Sequence, residues 1–147
     1  MADSVKTERF VACSPDETVA VGREIARLLR PPQLILLIGD LGAGKTTLTK
    51  GIVEGLGAGS AEDVSSPTFA LMHEFGSNPK VYHLDLYRLD RIHELETLGL
   101  DDLWDQDEAI VLIEWGEKFG DQLPADRFEI RLCELDADRR EIIVSRG

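Results

Sequence analysis

The segment that decides the fold runs from residue 39 to residue 46 and reads Gly39-Asp40-Leu41-Gly42-Ala43-Gly44-Lys45-Thr46. Its glycines, lysine and threonine have the spacing G-x-x-x-x-G-K-[ST] of a phosphate-binding loop, or P-loop. The glycines of such a loop let successive backbone N–H groups turn inward and bind an anion. Lys45 would place its charge at the β- and γ-phosphates, and the Thr46 hydroxyl would bind Mg²⁺. The spacing therefore predicts a nucleotide site that extends from Asp40 to Thr47.

The sequence on either side of the loop has the pattern that a P-loop requires. Residues 34–38 form an apolar run, which is typical of a parallel strand covered on both faces. After the loop, apolar residues recur at helical spacing, at Leu48, Ile52, Val53 and Leu56. A plain glycine turn between strand and helix would account for the glycines but not for the lysine and threonine that follow them. The flanks therefore favour nucleotide binding.

Length and composition predict one domain, a nucleotide-binding unit over residues 1–147. The chain has 28 acidic and 16 basic residues, a net charge of −12 that argues against unaided binding of nucleic acid. Cys13 and Cys133 form no C-x-x-C pair, which argues against metal or redox chemistry. No apolar run approaches membrane-spanning length, so we expect a cytoplasmic protein that makes no membrane contact.

The remaining sequence alternates between strand and helix patterns. Residues 8–13 predict an edge strand, and Ser14-Pro15-Asp16-Glu17 predicts a capping box that opens a helix running to about Arg30. Further predicted elements are strands over residues 68–75, 81–84 and 109–113, short helices within 90–108, and a C-terminal hairpin that turns near 136–138. These patterns predict an α/β fold of the P-loop NTPase class. Its mainly parallel central sheet would be flanked by helices and extended by antiparallel strands that include the hairpin.

A P-loop needs an acidic partner at the end of a neighbouring strand, to bind Mg²⁺ or to orient water. Asp85 ends the imperfect apolar run 81–84, and Glu114 ends the cleaner run 109–113. Both positions lie at the carboxyl edge of the predicted sheet, where α/β proteins bind ligands. Spacing leaves open which carboxylate is the direct ligand, and a helix cap or a lysine pair would explain either acid without a nucleotide.

Two further residues are candidates for the site. Thr68 lies in Ser66-Pro67-Thr68-Phe69, where many P-loop proteins have a loop that senses the γ-phosphate. The tripeptide Ser66-Pro67-Thr68 is also common in ordinary turns. Trp115 follows Glu114 directly and is either a core residue or a lid over the site.

Features of several P-loop classes are missing. Guanine recognition by small GTPases uses Asn-Lys-x-Asp, but the only asparagine here, Asn78, is followed by Pro79. The length leaves little room for the substrate and lid domains of a small-molecule kinase. A minimal ATPase remains the favoured interpretation, with a small-molecule kinase and a non-catalytic nucleotide-sensing subunit as alternatives.

Four segments, taken in their order along the chain, closely resemble the bacterial TsaE (YjeE) ATPases of tRNA threonylcarbamoyladenosine synthesis. They are residues 39–47, Ser66-Pro67-Thr68-Phe69, His83-Leu84-Asp85-Leu86-Tyr87-Arg88 and Ile113-Glu114-Trp115. The similarity extends from the region of Thr18 to the C-terminal hairpin. This set is far more specific than the P-loop alone.

The resemblance implies an ATPase that binds ATP and Mg²⁺ and hydrolyses ATP slowly by itself. Proteins of this kind act with the partners TsaB and TsaD, which transfer the threonylcarbamoyl group to adenosine 37 of tRNA. The acidic surface would then meet partner proteins, and contact with tRNA would be indirect.

The resemblance also implies roles for individual residues. Thr46 and Glu114 correspond to metal-linked residues, and Asp85 corresponds to a Walker-B-like acid. Thr68 matches a switch-loop residue and Trp115 a tryptophan beside the nucleotide. The expected sets are catalytic Lys45, Thr68, Asp85 and Glu114; metal-binding Thr46, Asp85 and Glu114; and nucleotide-binding Thr18, Asp40, Leu41, Gly42, Ala43, Gly44, Lys45, Thr46, Thr47 and Trp115.

Overall fold

A computed structural model describes residues 6–40, 42–65, 71–77, 79–97, 99, 101–104 and 107–146. The strands are β1 (Lys6–Ala12), β2 (Gln33–Ile38), β3 (Met72–Phe75), β4 (Lys80–Asp85), β5 (Ala109–Glu114), β6 (Phe128–Glu134) and β7 (Arg140–Arg146). The helices are α1 (Pro15–Ala26), α2 (Lys45–Gly55), α3 (Ile92–Thr97) and α4 (Asp101–Trp104). Short 3₁₀ segments cover Ala61–Asp63 and Gly116–Gln122.

The seven strands among the described residues form one sheet in the order β1-β7-β6-β2-β5-β4-β3. The four central strands, β6, β2, β5 and β4, run parallel to one another. The outer strands β3, β7 and β1 pair antiparallel, and β6 and β7 form the C-terminal hairpin. The prediction of a mainly parallel α/β sheet with antiparallel additions, including the hairpin, is confirmed.

Both faces of β2, β4 and β5 are buried, which explains their nearly continuous apolar sequences. On one face, alternate residues of β2 such as Ile35 and Leu37 pack with Ile25 of α1 and Ile52 of α2. Their neighbours Leu34 and Leu36 belong to a second cluster on the opposite face, whose other members come mostly from β4, β5 and the segments after them. The sheet therefore forms the middle layer between the two clusters, and the P-loop follows β2 at the carboxyl edge of the sheet.

The entry into α1 largely follows the predicted cap. The Ser14 hydroxyl accepts a hydrogen bond from Glu17 N at 3.1 Å, and Pro15 occupies the first helical turn. The Glu17 carboxylate accepts from Cys13 N at 2.9 Å, one residue before the backbone N–H that a capping box uses. The hydrogen bond from Cys13 N to Glu17 therefore connects the residue after β1 to the first turn of α1.

Two predicted boundaries were wrong. Helix α1 ends at Ala26 rather than near Arg30, because the chain tightens into i→i+3 turns in which Leu28 N and Leu29 N donate to Ile25 O and Ala26 O. The strand predicted over residues 68–75 begins only at Met72, because Leu71 has a φ of +68° that a strand does not accommodate. Residues 68–70 lie outside the described part of the chain.

The helices among the described residues are short or amphipathic. None of them is long and apolar enough to cross a membrane.

Candidate nucleotide site

The P-loop connects the carboxyl end of β2 to the start of α2. Gly42 and Gly44 adopt φ values of +81° and +103°, which lie in the region that favours glycine. Gly44 is the residue before the first helical turn and, as a glycine, provides no side-chain cap for the backbone N–H groups there. These donors at the positive end of α2 are the groups that bind phosphate in helix-terminal anion sites. Of the predicted loop residues, Leu41 lies outside the described residues.

Lys45 is buried beneath the loop, although it is the first residue of α2. Only 5% of the residue is exposed. Its ammonium donates to the Gly39 carbonyl at 2.7 Å and lies 3.6 Å from the centroid of the Trp115 ring. The chain thus stabilises the cation with a carbonyl dipole and an aromatic face, a cation–π contact.

Burial lowers the pKa of Lys45 below the ordinary lysine value, because the surroundings solvate the ammonium poorly. Nearby carboxylates oppose this effect and raise the pKa, in the order Glu114, Glu117, Asp85 and Asp40. The net result is a cation that is poorly solvated and surrounded by negative charge. A phosphate group placed against Lys45 would favour its charged form further.

The two candidate acids lie at the carboxyl edge of the sheet, as the sequence predicted, and the structure places them at the ends of the neighbouring parallel strands β4 and β5. Asp85 and Glu114 are paired in the β4–β5 register, and each is 3% exposed. The Thr46 hydroxyl donates to Glu114 Oε2 at 3.4 Å, a long hydrogen bond. Asp85 Oδ1 instead accepts from Tyr87 N at 2.8 Å. The tertiary structure therefore brings Glu114 to the P-loop threonine, while Asp85 lies beside it and also fixes the following turn.

His83 joins this cluster, although sequence reasoning assigned it no role. Its Nε2 lies 2.6 Å from Glu114 Oε2, and its side chain is fully buried. The signal that would have found it is strand periodicity, because residues two apart on a strand point to the same face. His83 stands two residues before Asp85 on β4 and shares its face.

Trp115 has a positive φ of 64°, an uncommon conformation for a large side chain. Its ring contacts Lys45 and lies 5.0 Å from the Tyr87 ring, centroid to centroid. It also packs against the second core cluster. Trp115 is therefore part of the packing and part of the P-loop environment at the same time.

Thr18 also comes close to the P-loop. It is 2% exposed, and its hydroxyl donates to Ser14 O at 3.3 Å. Its Cγ2 lies 3.9 Å from the place that a Cβ on Gly44 would take. A cavity of about 420 Å³ opens beside these residues and is lined by Cys13, Ser14, Pro15, Thr18, Gly42, Gly44, Thr47, Ala137, Asp138 and Arg140. Its last three lining residues come from the β6–β7 hairpin, which sequence reasoning did not connect to the site.

Three of the predicted site residues remain, namely Asp40, Ala43 and Thr68. Asp40 is exposed at the start of the loop, and Ala43 is buried within it. Thr68 lies outside the described residues. Within the described part of the chain, no group of three or more His, Cys, Asp or Glu side chains is arranged to hold a metal ion.

Comparison with protein families matches residues 12–142 to the model described as threonylcarbamoyl adenosine biosynthesis protein TsaE. A tRNA threonylcarbamoyladenosine biosynthesis protein TsaE of Bacillus subtilis is 38% identical over 139 residues, which are 94% of this chain and 85% of the relative. The protein of the same name from Streptomyces coelicolor is 42% identical over 116 residues, 76% of each chain. That of a Nostoc species is 43% identical over 117 residues, 76% of this chain and 69% of the relative.

The fold is similar to the crystal structure of Bacillus subtilis YdiB, with a TM-score of 0.78 and 32% sequence identity. The superposition covers 99% of this chain and 88% of that one. Nearly every described element of the site therefore lies within the region of similarity.

Proposed function

We propose that this chain, which belongs to the TsaE family of tRNA threonylcarbamoyladenosine biosynthesis proteins, is a Mg²⁺-dependent ATP hydrolase that acts in the modification of adenosine 37 of tRNA. Its partners would be TsaB and TsaD. The nucleotide cycle would serve the chemistry of those proteins, and contact with tRNA would be indirect.

One observation carries the hydrolytic part of the proposal. The Thr46 hydroxyl, at the end of the P-loop, and the Glu114 carboxylate, at the end of β5, lie within 3.4 Å of each other. They are 68 residues apart in sequence, so only the fold brings them together. A threonine hydroxyl beside an acid on the adjacent strand is the pair that P-loop enzymes use at the Mg²⁺–phosphate group.

The donor set fits Mg²⁺. The ion prefers oxygen ligands, uses few carboxylates and takes phosphate oxygens and waters for the rest of its coordination. Thr46 and Glu114 supply a hydroxyl and a carboxylate, and the described residues contain no denser ligand cluster. Bound there, Mg²⁺ would neutralise phosphate charge.

Lys45 and the amides of α2 would stabilise the negative charge that develops on the phosphoryl group during hydrolysis. Lys45 would turn from the Gly39 carbonyl, 2.7 Å away, toward the β- and γ-phosphates. Only 5% of the residue is exposed, so little hydration of the ammonium is lost in this exchange.

Glu114 and Asp85 would orient the attacking water. The water oxygen would form a bond to the γ-phosphorus as the bond to ADP breaks, and the water protons would pass to phosphate oxygen or to solvent. Arg88, close in sequence to Asp85, is the candidate within this chain for a positive charge at the leaving oxygen, and a partner protein that supplies or orders this charge is the alternative.

Three variants test the hydrolytic site. Lys45→Ala is expected to weaken ADP binding itself, measured by isothermal titration calorimetry. Glu114→Gln is expected to retain ADP binding and lose phosphate release, because only orientation and metal contact are removed. Glu117→Gln is the matched control. Like Glu114→Gln it removes one negative charge near Lys45, but Glu117 is exposed, so this variant should keep most of the rate of phosphate release. Phosphate release by Glu114→Gln at the wild-type rate would refute the assignment.

Reconstitution tests the role in tRNA modification. The chain is combined with TsaB, TsaD, the threonylcarbamoyl donor and tRNA, and modified adenosine and free phosphate are measured. The proposal expects phosphate release without a small-molecule acceptor, stimulated by the partners, and modification that depends on the chain over many turnovers. A strict requirement for a small acceptor would indicate a kinase, and tight ADP binding without turnover in the full complex would indicate a sensor. Either result would overturn the proposal.

A further inference from the structure

We propose that His83 is a positioning residue for hydrolysis, which holds the Glu114 carboxylate by one oxygen so that the other faces the reaction. This inference rests on the proposed function and assigns a role to a residue that the sequence left unassigned. His83 would not contact the nucleotide, the metal or the attacking water. It would act only through Glu114.

The contact is short and enclosed. His83 Nε2 and Glu114 Oε2 are 2.6 Å apart, the histidine side chain is fully buried and the glutamate side chain is 5% exposed. A carboxylate oxygen only accepts hydrogen bonds, so the imidazole Nε2 carries the hydrogen and donates it. Hydrogen bonds to an ionised acceptor are stronger than neutral ones, and exclusion of water strengthens them further.

The two neighbours of Glu114 act on the same oxygen. Thr46 Oγ1 and His83 Nε2 both donate to Oε2, and neither of these two contacts involves Oε1. The terminal torsion of a glutamate is broad and nearly two-fold, so an unrestrained carboxylate would exchange its oxygens. Two donors on Oε2 make the oxygens inequivalent. They leave Oε1 for water or for the metal shell.

The hydrogen bond is diagonal across the β4–β5 pair. In the register, His83 stands opposite Leu112, two residues before Glu114 on β5. Side chains in diagonal positions are farther apart than directly opposite ones, and long or ring-shaped side chains such as glutamate and histidine span that distance. The imidazole ring of His83 places Nε2 within hydrogen-bond distance of the Glu114 carboxylate. A shorter donor on the same backbone would not extend that far.

The other ring nitrogen argues against a purely structural role. His83 Nδ1 is buried, and no described residue offers it a hydrogen-bond partner. An unsatisfied buried polar atom destabilises the folded state. A position that served packing alone would be filled better by an apolar side chain of similar size, so the hydrogen bond to Glu114 is what this imidazole contributes.

Two amide variants test the inference because they differ mainly in reach. His83→Gln places an N–H near the position of Nε2, whereas His83→Asn places it near Nδ1, too far from Glu114. His83→Asn is expected to lower kcat about tenfold or more, because misplacing a catalytic group is costly. Its ADP affinity should change by less than about threefold, because His83 does not touch the P-loop amides. His83→Gln should restore most of the lost kcat.

A structural role would give another pattern. Both variants would then lose kcat in proportion to their loss of stability in urea, or lose kcat and ADP affinity together. Either pattern, or a wild-type kcat in His83→Asn, would overturn the inference.

Nuclear magnetic resonance supplies a readout that does not depend on turnover. The imidazole nitrogens of His83 are assigned in ¹⁵N-labelled protein by comparison with His83→Gln. The inference expects the hydrogen on Nε2 and a change of the Nε2 resonance in Glu114→Gln. Wild-type protein that hydrolyses no ATP with its partners refutes the proposed function and not this contact. A hydrogen found on Nδ1 alone refutes the contact whatever the activity.

Discussion

Replacing Gly51 by alanine is expected to push α1 and α2 apart and to disturb the P-loop through α2. A Cβ on Gly51 would lie 2.0 Å from Val19 O and 2.9 Å from Gly22 Cα. Ordinary van der Waals contact begins near 3.4 Å. The helices would therefore have to separate by about 1.4 Å at this crossing, in an interior packed as densely as an organic crystal.

The expected loss of stability follows from the kind of atoms that collide. Overpacking a core lowers the free energy of unfolding by about 1–3 kcal/mol, and side-chain rotation usually absorbs part of the strain. Here the opposing atoms belong to the backbone of α1, so the upper end of that range applies. Alanine regains about 1 kcal/mol through its better helix propensity. The net expectation is a loss of about 2 kcal/mol.

The same displacement is expected to reach the nucleotide site. Helix α2 begins at Lys45, and Thr46 Oγ1 is already 3.4 Å from Glu114 Oε2. A shift on the order of 1 Å at a catalytic group can lower the rate about a hundredfold. Gly51→Ala should therefore lose ATP hydrolysis under conditions in which most of the protein is still folded.

The assay is urea unfolding followed by circular dichroism, with the free energy extrapolated to water. Gly120→Ala is the matched control, because its added Cβ would meet only Arg127 Nη2, at 3.6 Å. That variant should be as stable as the wild type or up to about 1 kcal/mol more stable, through the restricted unfolded chain. A Gly51→Ala protein within about 0.5 kcal/mol of wild type, with unchanged hydrolysis, would refute the argument, since surface-like changes give effects of that size.

Two further predictions concern Lys45 and its surroundings. Because burial lowers the pKa of Lys45, the free protein loses this charge at a pH below the ordinary lysine range. ADP needs the charged form, so its affinity should fall as the pH rises through that lowered pKa, whereas Lys45→Arg, which stays charged, should bind with a flat profile in calorimetry. In a Trp104→Phe background, the fluorescence of Trp115 should change on ADP binding, because the Lys45 ammonium, 3.6 Å from the ring centroid, would leave for the phosphates. Unchanged emission at saturating ADP would show that the ammonium stays on the ring.

Local sequence was enough for the elements that build the site. The apolar runs before Gly39 and Glu114 predicted buried parallel strands, because such strands are covered on both faces and carry few polar residues. The placement of Asp85 and Glu114 at one edge followed from the rule that parallel strands end on the same side of a sheet. The end of α1 and the start of β3 were misjudged. These boundaries depend on single dihedral angles, such as the positive φ of Leu71, to which residue patterns are insensitive.

The P-loop, the fold class and the positions of the two acids were thus readable in the chain itself, because each depends on residues close together in sequence. Three contacts depend instead on strand order and side-chain length. They are the contact of Thr46 with Glu114, the hydrogen bond of His83 to Glu114, and the packing of Trp115 against Lys45. Thr46 and Glu114 are 68 residues apart, and His83 and Glu114 are 31 apart. Such pairs meet only when β4 and β5 are placed side by side next to β2, under α2. The local sequence determines which side chains are available to the site, whereas the contacts between them form only in the assembled sheet.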